Sequence, residues 1–286
     1  MRILVSGSHG LLGTALCEIA IQRGIEISQL KRSQVSWFNP VINAELLDGI
    51  DFLIHAAANT NVEACEEDPE SCYRDNVVLT ELLCAAAAKR QVPCVFISST
   101  GVYGKHLDVA YREFDDVLPT TVHHRSKALA ENIVLRTGAQ NLVVRTGWLF
   151  GGEWGNPKNF VARRIEEARG AKGGSIRSNV DQCGNPSFVN DVAGRVVDLI
   201  EAQCSGVFNC VNTGVATRYE YVKAVLDSAG LCVPVIPATG PTFQRKAAVS
   251  NNESAENWKM QLLGFSRLPN WQDSLTKYVR SLVAGA

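Results

Sequence analysis

The fold is decided by the first thirteen residues, Met1-Arg2-Ile3-Leu4-Val5-Ser6 followed by Gly7-Ser8-His9-Gly10-Leu11-Leu12-Gly13. The first run is short and apolar, which is typical of a buried parallel strand. Glycines at this spacing predict a tight turn into a helix whose N-terminus can hold a pyrophosphate. The chain is therefore predicted to begin with a dinucleotide-binding unit. The residues expected to line the cofactor in this loop are Gly7, His9, Gly10, Leu11, Leu12 and Gly13.

Composition narrows the class of protein. The chain has 286 residues, of which 46% are hydrophobic and 20% charged, with a formal net charge of −1. A chain of this length can bury a large core, and the absence of a basic block argues against nucleic acid as a partner. No apolar stretch is long enough to span a membrane, and Gly7 interrupts any leader-like apolar region. We expect a cytoplasmic enzyme that binds neither nucleic acid nor membrane.

Nine cysteines occur, without a Cys-x-x-Cys pair. Several of them stand within apolar helix or strand patterns, namely Cys17, Cys84, Cys94, Cys204 and Cys210. An odd count in a chain without an export signal favours reduced thiols. We expect buried cysteines that pack as small hydrophobic side chains, and no metal site.

Strand and helix patterns alternate along the rest of the chain. Strands are predicted near 25–30, 51–57, 93–99, 141–147 and 206–212, and helices near 11–23, 70–90, 120–137, 159–170, 189–203, 217–229 and 271–284. This alternation predicts an α/β fold with a doubly wound parallel sheet of the Rossmann type and right-handed crossovers. We expect residues 1–147 to form the dinucleotide-binding core. Residues 148–286 are expected to form a smaller substrate-binding lobe of C-terminal excursions, interleaved with the last strand and helices of the core at about 188–212.

The end of the second predicted strand indicates which dinucleotide binds. Residues 25–30 run into Lys31-Arg32-Ser33, whereas an NAD site of this type usually has an acidic residue there. Two cations and a hydroxyl suit a 2′-phosphate. The sequence therefore predicts NADP(H) in preference to NAD(H), with a solvated basic loop as the alternative interpretation.

Besides the glycine loop, several motifs are spread along nearly the whole chain. They are His55-Ala56-Ala57-Ala58-Asn59-Thr60-Asn61-Val62-Glu63, Asp75-Asn76-Val77-Val78, Ile97-Ser98-Ser99-Thr100-Gly101-Val102-Tyr103-Gly104, Ser126-Lys127, Arg145-Thr146-Gly147-Trp148-Leu149-Phe150-Gly151, Asp181-Gln182-Cys183-Gly184-Asn185-Pro186-Ser187 and Pro269-Asn270-Trp271. Together they resemble the motifs of the extended short-chain dehydrogenase/reductase superfamily and, within it, of the dTDP-4-dehydrorhamnose reductases. The Asp-Gln-x-Gly-x-Pro stretch is the most family-specific of these.

The resemblance implies an NADP-dependent reductase of a nucleotide-linked 4-keto-6-deoxy sugar. It implies that the Ser99 hydroxyl bonds the substrate carbonyl oxygen, and that Lys127 holds the nicotinamide ribose and lowers the pKa of a neighbouring acid. Further cofactor contacts are implied for Ala56, Ala57, Ala58, Asn76 and Lys127. Substrate contacts are implied for Ser99, Trp148, Asn159, Gln182 and Pro186. The nucleotide sugar is thus the expected partner, and a homodimer is compatible with the sequence.

One catalytic position departs from the family. Where the family has a tyrosine four residues before the lysine, this chain has His123. An imidazole titrates at about 6.5 and suits a general acid, although Lys127 on the same helical face opposes its protonation. The shorter side chain also moves the donated proton by about 1 Å. Four alternatives remain open: a working reductase with His123 as the acid, His124 or another group as the acid, a dinucleotide-binding regulatory subunit, and an epimerase on the same scaffold.

Overall fold

A computed structural model describes residues 1–171 and 174–284. Within these residues the strands are β1 (Arg2–Ser6), β2 (Glu26–Leu30), β3 (Phe52–His55), β4 (Cys94–Ser99), β5 (Leu142–Thr146), β6 (Trp148–Phe150), β7 (Ile176–Asn179), β8 (Cys183–Gly184), β9 (Pro186–Phe188), β10 (Gly206–Cys210), β11 (Ala216–Thr217) and β12 (Val235–Ala238). The α-helices are α1 (Leu11–Gln22), α2 (Pro40–Glu45), α3 (Val62–Glu67), α4 (Pro69–Tyr73), α5 (Leu79–Lys89), α6 (Val122–Thr137), α7 (Phe160–Gly170), α8 (Val189–Glu201), α9 (Arg218–Ser228), α10 (Trp258–Leu262) and α11 (Trp271–Ala284).

Six parallel strands form the central sheet in the order β10-β5-β4-β3-β1-β2. The winding direction reverses between β1 and β3, and a ligand crevice of such a sheet lies at the carboxyl ends of the strands at this switch point. The predicted α/β fold with a parallel, doubly wound sheet is confirmed. All five predicted strands after β1 are present, although the one expected at 51–57 ends at His55.

Both faces of the sheet are covered, which explains the continuous apolar runs in its strands. Successive side chains of β1 point to opposite faces. Ile3 and Val5 join a cluster with residues of α1 and α8, whereas Leu4 joins a cluster with residues of α5 and α6. The sheet is therefore the rigid centre from which the surrounding loops extend.

A further hydrophobic cluster draws all its buried members from residue 148 onward. It packs Trp148 and Phe150 against α7, α9 and α11. Three small strand pairs also involve this part of the chain: β6 with β9, β7 with β12, and β8 with β11. These pairs were not predicted, because strands of two to four residues are too short to show a period.

The helix predicted at 70–90 is divided into three pieces. Between α4 and α5 lies a π-helical turn, Arg74–Val78. Asp68 caps the start of α4, since its carboxylate accepts from the Ser71 amide at 3.0 Å. The π turn is short and occurs within continuous helical periodicity, so it could not be predicted from the residue pattern.

Candidate active site

The predicted catalytic and cofactor residues follow the carboxyl ends of adjacent strands. Ser6, the last residue of β1, pairs with His55 at the end of β3, and Ser99 at the end of β4 pairs with Thr146 of β5. The glycine loop, residues 56–58 and Ser99 therefore open onto one edge of the sheet. This is the edge at which α/β sheets bind ligands.

The glycine loop is closed so tightly that no side chain fits at Gly7 or Gly13. Gly7 has φ +74°, and a Cβ there would lie 2.6 Å from the backbone nitrogen of Ala57. A Cβ on Gly13 would lie 2.0 Å from the Gly7 carbonyl oxygen. The Gly10 amide donates to that same oxygen at 2.9 Å, and no side chain of the described residues caps the start of α1. The uncapped amides fit a dinucleotide pyrophosphate.

The other predicted residues of this loop differ in their exposure. His9 is exposed at the loop, whereas Leu12 packs in the core beneath it. Leu11 is half-buried and so are Ala56, Ala57 and Ala58 on the neighbouring strand end. These half-buried residues form a small apolar surface beside the glycine loop, which suits the flat rings and ribose of a dinucleotide.

Lys127 is buried beneath the edge of the sheet, with a side chain only 4% exposed. Its Nζ donates to the Ile97 carbonyl at 2.6 Å and lies 3.9 Å from the centre of the Phe96 ring. Burial lowers the pKa of Lys127 to about 7, although the Glu131 carboxylate opposes this shift. Two residues beyond Ile97 on the same strand, the half-buried Ser99 accepts from the Gly101 amide at 3.2 Å.

Asn76 joins the helix of Lys127 to the loop that follows β3. It lies in the π turn and is 1% exposed. Its Nδ2 donates to Ser126 Oγ at 2.9 Å and to the Asn59 carbonyl at 3.1 Å, while its Oδ1 accepts from the Asn59 amide at 2.7 Å. A π turn at a functional site is a recurrent arrangement. Asn76 therefore positions Lys127 indirectly, and its buried amide is already fully engaged.

A buried ion pair fixes the same helix one turn further along. Glu131 accepts from Arg145 of β5, with Nη2 to Oε2 at 2.7 Å and Nε to Oε1 at 3.1 Å. Ser98, the neighbour of Ser99, donates to Glu131 Oε1 at 2.5 Å. Since Glu131 lies one helical turn after Lys127, the network fixes the lysine relative to the end of β4.

His123 is 6% exposed, and its Nδ1 has no hydrogen-bond partner among the described residues. Burial lowers the pKa of His123 to about 3, and the nearby charges of His124 and Lys127 act in the same direction. The imidazole is therefore neutral near pH 7. This environment does not favour an imidazolium, and the role of His123 as an acid stays a prediction.

His124 occupies a different environment from His123. Its ring packs on Gly101, where an added Cβ would lie 2.2 Å from the ring. Its Nδ1 lies 3.1 Å from Thr121 Oγ1, and burial lowers the pKa of His124 as well. His124 thus fills the space next to the Ser99–Gly101 turn and explains why Gly101 lacks a side chain.

Arg218 is a site residue that the sequence did not reveal. Its guanidinium carbon lies 3.4 Å from the centre of the Trp148 ring, and its Nε donates to Gln182 Oε1 at 3.3 Å. Arg218 makes no ion pair with a carboxylate in the described part of the chain, and burial lowers its pKa to about 10. Trp148 in turn donates to Glu253 at 2.6 Å. A lone arginine at a helix start carries no sequence signal, so only the fold identifies this stacked cation.

The basic residues at the end of β2 are all exposed. Arg32 already pairs with Asp75 of the π turn at 2.6 Å, and its guanidinium lies 5.5 Å from the centre of the Trp37 ring. Lys31 makes no ion pair within residues 1–171 and 174–284, and Ser33 lies in the short turn that follows it. The predicted 2′-phosphate contacts stay predictions.

Two predicted substrate residues are used by the fold itself. Asn159 is 0% exposed and caps α7: its Oδ1 accepts from the Ala162 amide at 3.1 Å, and its Nδ2 donates to Tyr278 at 2.6 Å. Pro186 is buried where β9 pairs with Trp148 of β6. Helix capping and strand pairing already use these two side chains, and their predicted contact with a substrate stays a prediction.

The parallel sheet, the glycine loop and the Ser99–Lys127 pair define an oxidoreductase of the extended short-chain dehydrogenase/reductase class. The chain belongs to the family described as RmlD substrate binding domain, which matches residues 1–284. This confirms the predicted superfamily and the predicted enzyme class.

Individual relatives agree with this membership. The chain is 29% identical to the dTDP-4-dehydrorhamnose reductase of Mycobacterium tuberculosis over 280 residues, which cover 96% of this chain and 91% of the relative. The solved structure of the dTDP-4-dehydrorhamnose reductase from Clostridium acetobutylicum superposes with a TM-score of 0.92 at 26% identity, covering 99% of this chain and 100% of the other. The Bacillus anthracis reductase, solved in complex with NADP, superposes with a TM-score of 0.91 at 26% identity, covering 98% and 99%.

The expectations on membrane spans and on the cysteines can be compared with the structure. None of the helices described is long and apolar enough to cross a membrane. All nine cysteines lie within the described residues and are free thiols. The homodimer stays a prediction.

Proposed function

We propose that the protein reduces the 4-keto group of a nucleotide-linked 6-deoxy sugar, with NADP(H) as its cofactor, as a reductase of the dTDP-4-dehydrorhamnose type. The observation that carries the proposal is the placement of Ser99 and Lys127 at the same edge as the glycine loop. Relatives named for this activity match nearly the whole chain, which supports the same substrate class here. In this proposal residues 1–147 bind the dinucleotide and the segment after 148 supplies the substrate-binding lobe.

The cofactor supplies the hydride when it is bound. The uncapped start of α1 would hold its pyrophosphate, and Lys127 its nicotinamide ribose. Lys31, Arg32 and Ser33 would meet a 2′-phosphate, because cations and a hydroxyl are the groups that bind it. Lys31 is the cation without an acidic partner among the described residues, so it is expected to contribute more than Arg32.

Arg218 would hold the diphosphate of the nucleotide sugar. Trp148 lies two residues beyond Thr146, the strand partner of Ser99, so the Arg218–Trp148 stack continues the same edge of the sheet. A planar guanidinium pairs with two phosphate oxygens at once. The sugar would then reach Ser99, whose hydroxyl would bond the carbonyl oxygen, while Gln182 orients the arginine.

A second candidate function is dinucleotide binding without ordinary reductase turnover. It is favoured by the neutral, buried imidazole of His123, because a neutral imidazole gives up a proton far less readily than an imidazolium. In this case Ser99 and Lys127 would serve binding, and the protein would act as a regulatory subunit. The two candidates differ in one measurable property, which is NADPH oxidation in the presence of a keto sugar nucleotide.

The test is incubation of the full chain with NADPH and dTDP-4-dehydrorhamnose, with NADPH oxidation followed by absorbance and the sugar product by mass spectrometry. We expect turnover that falls by on the order of 100-fold or more in Ser99→Ala. Ser281→Ala, at an exposed serine of α11, is the matched control and should leave turnover unchanged. Turnover only in His123→Tyr, with tight NADPH binding by the parent, would replace the proposal by the second candidate.

A further inference from the structure

Three helices bring two thiols and an imidazole together beside Lys127. Cys65 lies on α3, Cys72 on α4 and His123 on α6. One potential ligand atom of each lies within 4.8 Å of the others. Both cysteines are 0% exposed. The spacing in sequence, six residues between the cysteines and fifty more before the histidine, matches no short metal motif, so only the fold assembles the group.

The donor set has the chemistry of a soft or borderline metal. Two cysteine sulfurs and one imidazole nitrogen are ligands of Zn²⁺, whereas Mg²⁺ and Ca²⁺ require oxygen donors. Two thiolates neutralise a divalent cation, so a buried complex carries no net charge. His123 Nδ1 has no hydrogen-bond partner in the part of the chain that the structure describes. It is therefore an unused ligand atom, whereas buried polar atoms are normally satisfied.

The distances require a small contraction on binding. With Zn–S bonds of about 2.3 Å in tetrahedral geometry, ligand atoms lie roughly 3.5 to 3.8 Å apart. The separations between the three ligand atoms, which reach up to 4.8 Å, must therefore shorten by about 1 Å on metal binding. Side-chain rotations on the three helices can supply this movement. Three protein ligands leave the fourth position to water or another small donor.

Two polar side chains contact the sulfur of Cys72. Asn76 Nδ2 donates to Cys72 Sγ at 3.4 Å, and the Cys72 thiol donates to Ser126 Oγ at 3.5 Å. A bond such as that from Asn76 orients a metal ligand and stabilises its charge, and the Cys72 proton is released when a metal binds. A comparable pair, Cys84 and Cys94, also lies with its sulfurs 3.9 Å apart, but no third ligand of the described residues joins it.

We propose that Cys65, Cys72 and His123 form a zinc site at the helix position where reductases of this class carry their tyrosine. The inference goes beyond the proposed function and does not require reductase turnover. It assigns to His123 the role of a metal ligand, which explains why the imidazole lies beside two buried thiols. The predicted absence of a metal site rested on the missing Cys-x-x-Cys pattern, which this arrangement does not need.

The test is a titration of the reduced, chelator-treated full chain with Co²⁺, followed by competition with Zn²⁺. We expect one Co²⁺ per chain and a near-ultraviolet thiolate-to-cobalt charge-transfer band that Zn²⁺ abolishes. Cys72→Ser and His123→Ala should weaken Co²⁺ binding by on the order of 100-fold or more. Cys84→Ser is the matched control, because it removes a buried thiol without touching the site, and it should bind Co²⁺ as the parent does.

His123→Cys keeps the test decisive if a variant loses its fold. A third thiolate should retain Co²⁺ binding and intensify the charge-transfer band, whereas His123→Tyr should bind no metal while still binding NADPH. Absence of the band in the parent would overturn the proposal. Persistence of the band in Cys72→Ser, or a Cys65–Cys72 disulfide in the freshly purified protein, would overturn it equally.

Discussion

Replacing Glu131 by Gln should destabilise the protein more than any loss of a surface charge. In the native protein the Glu131 and Arg145 side chains are only 4% and 5% exposed, and the carboxylate accepts the Arg145 bonds at 2.7 and 3.1 Å. Removing one partner of a buried pair leaves an uncompensated charge, which costs about 3 to 5 kcal/mol. The Arg145 Nη1 already has no hydrogen-bond partner among the described residues, so the guanidinium that remains cannot easily replace the lost bonds.

The measurement is urea unfolding at pH 7 for the parent, Glu131→Gln and a surface control. Glu67→Gln removes the partner of Lys246 from a pair whose side chains are 54% and 69% exposed, and such pairs contribute about 1 kcal/mol or less. We expect the double variant Glu131→Leu/Arg145→Met to recover most of the lost free energy of unfolding, since neither charge remains. Equal losses for Glu131→Gln and Glu67→Gln would refute the reasoning.

Three further predictions concern ligands and pH. NADPH should bind more tightly than NADH, with a preference that weakens as salt is added and in Lys31→Ala; equal binding of both at low salt would contradict the role given to Lys31. Lys127→Met should weaken NADPH binding but stabilise the ligand-free protein. Its folded pKa of about 7 lies below the ordinary 10.5, so the buried ammonium costs stability below pH 7, and this cost is lost as the pH rises toward 10.5. Thermal unfolding should therefore show that Lys127→Met raises the Tm of the ligand-free protein more at pH 6 than at pH 10. A rise in Tm that becomes larger with pH would contradict this prediction. Arg218→Met should raise the KM for the nucleotide sugar by on the order of 10- to 100-fold through the loss of charge-assisted bonds, with NADPH affinity unchanged. A fall in kcat without a change in KM would contradict the proposed contact between Arg218 and the diphosphate.

The sheet, its flanking helices and the glycine loop were predictable because each has a signal within its own sequence. Short apolar runs and helical patterns identify the elements, and the requirement for glycine at Gly7 and Gly13 is a local steric one. Side-chain constellations have no such signal. Arg218 and the Cys65–Cys72–His123 group depend on contacts between residues up to seventy positions apart. The capping role of Asn159 was not predicted, because a helix cap and a ligand contact look the same in a sequence.

The π turn at Arg74–Val78 works as a one-residue insertion in an otherwise regular helix. Successive α-helical residues are rotated by about 100° around the axis. Deleting one residue from the turn would leave a longer and more regular helix, but would turn α4 by about that angle against α5. Cys72 and Asn76 would then lose their hydrogen bonds with Ser126, and Asp75 would lose its ion pair with Arg32. The π turn therefore orients the buried Cys72 thiol toward Ser126 and Asp75 toward Arg32 at the basic end of β2. A regular helix would not direct both side chains in this way.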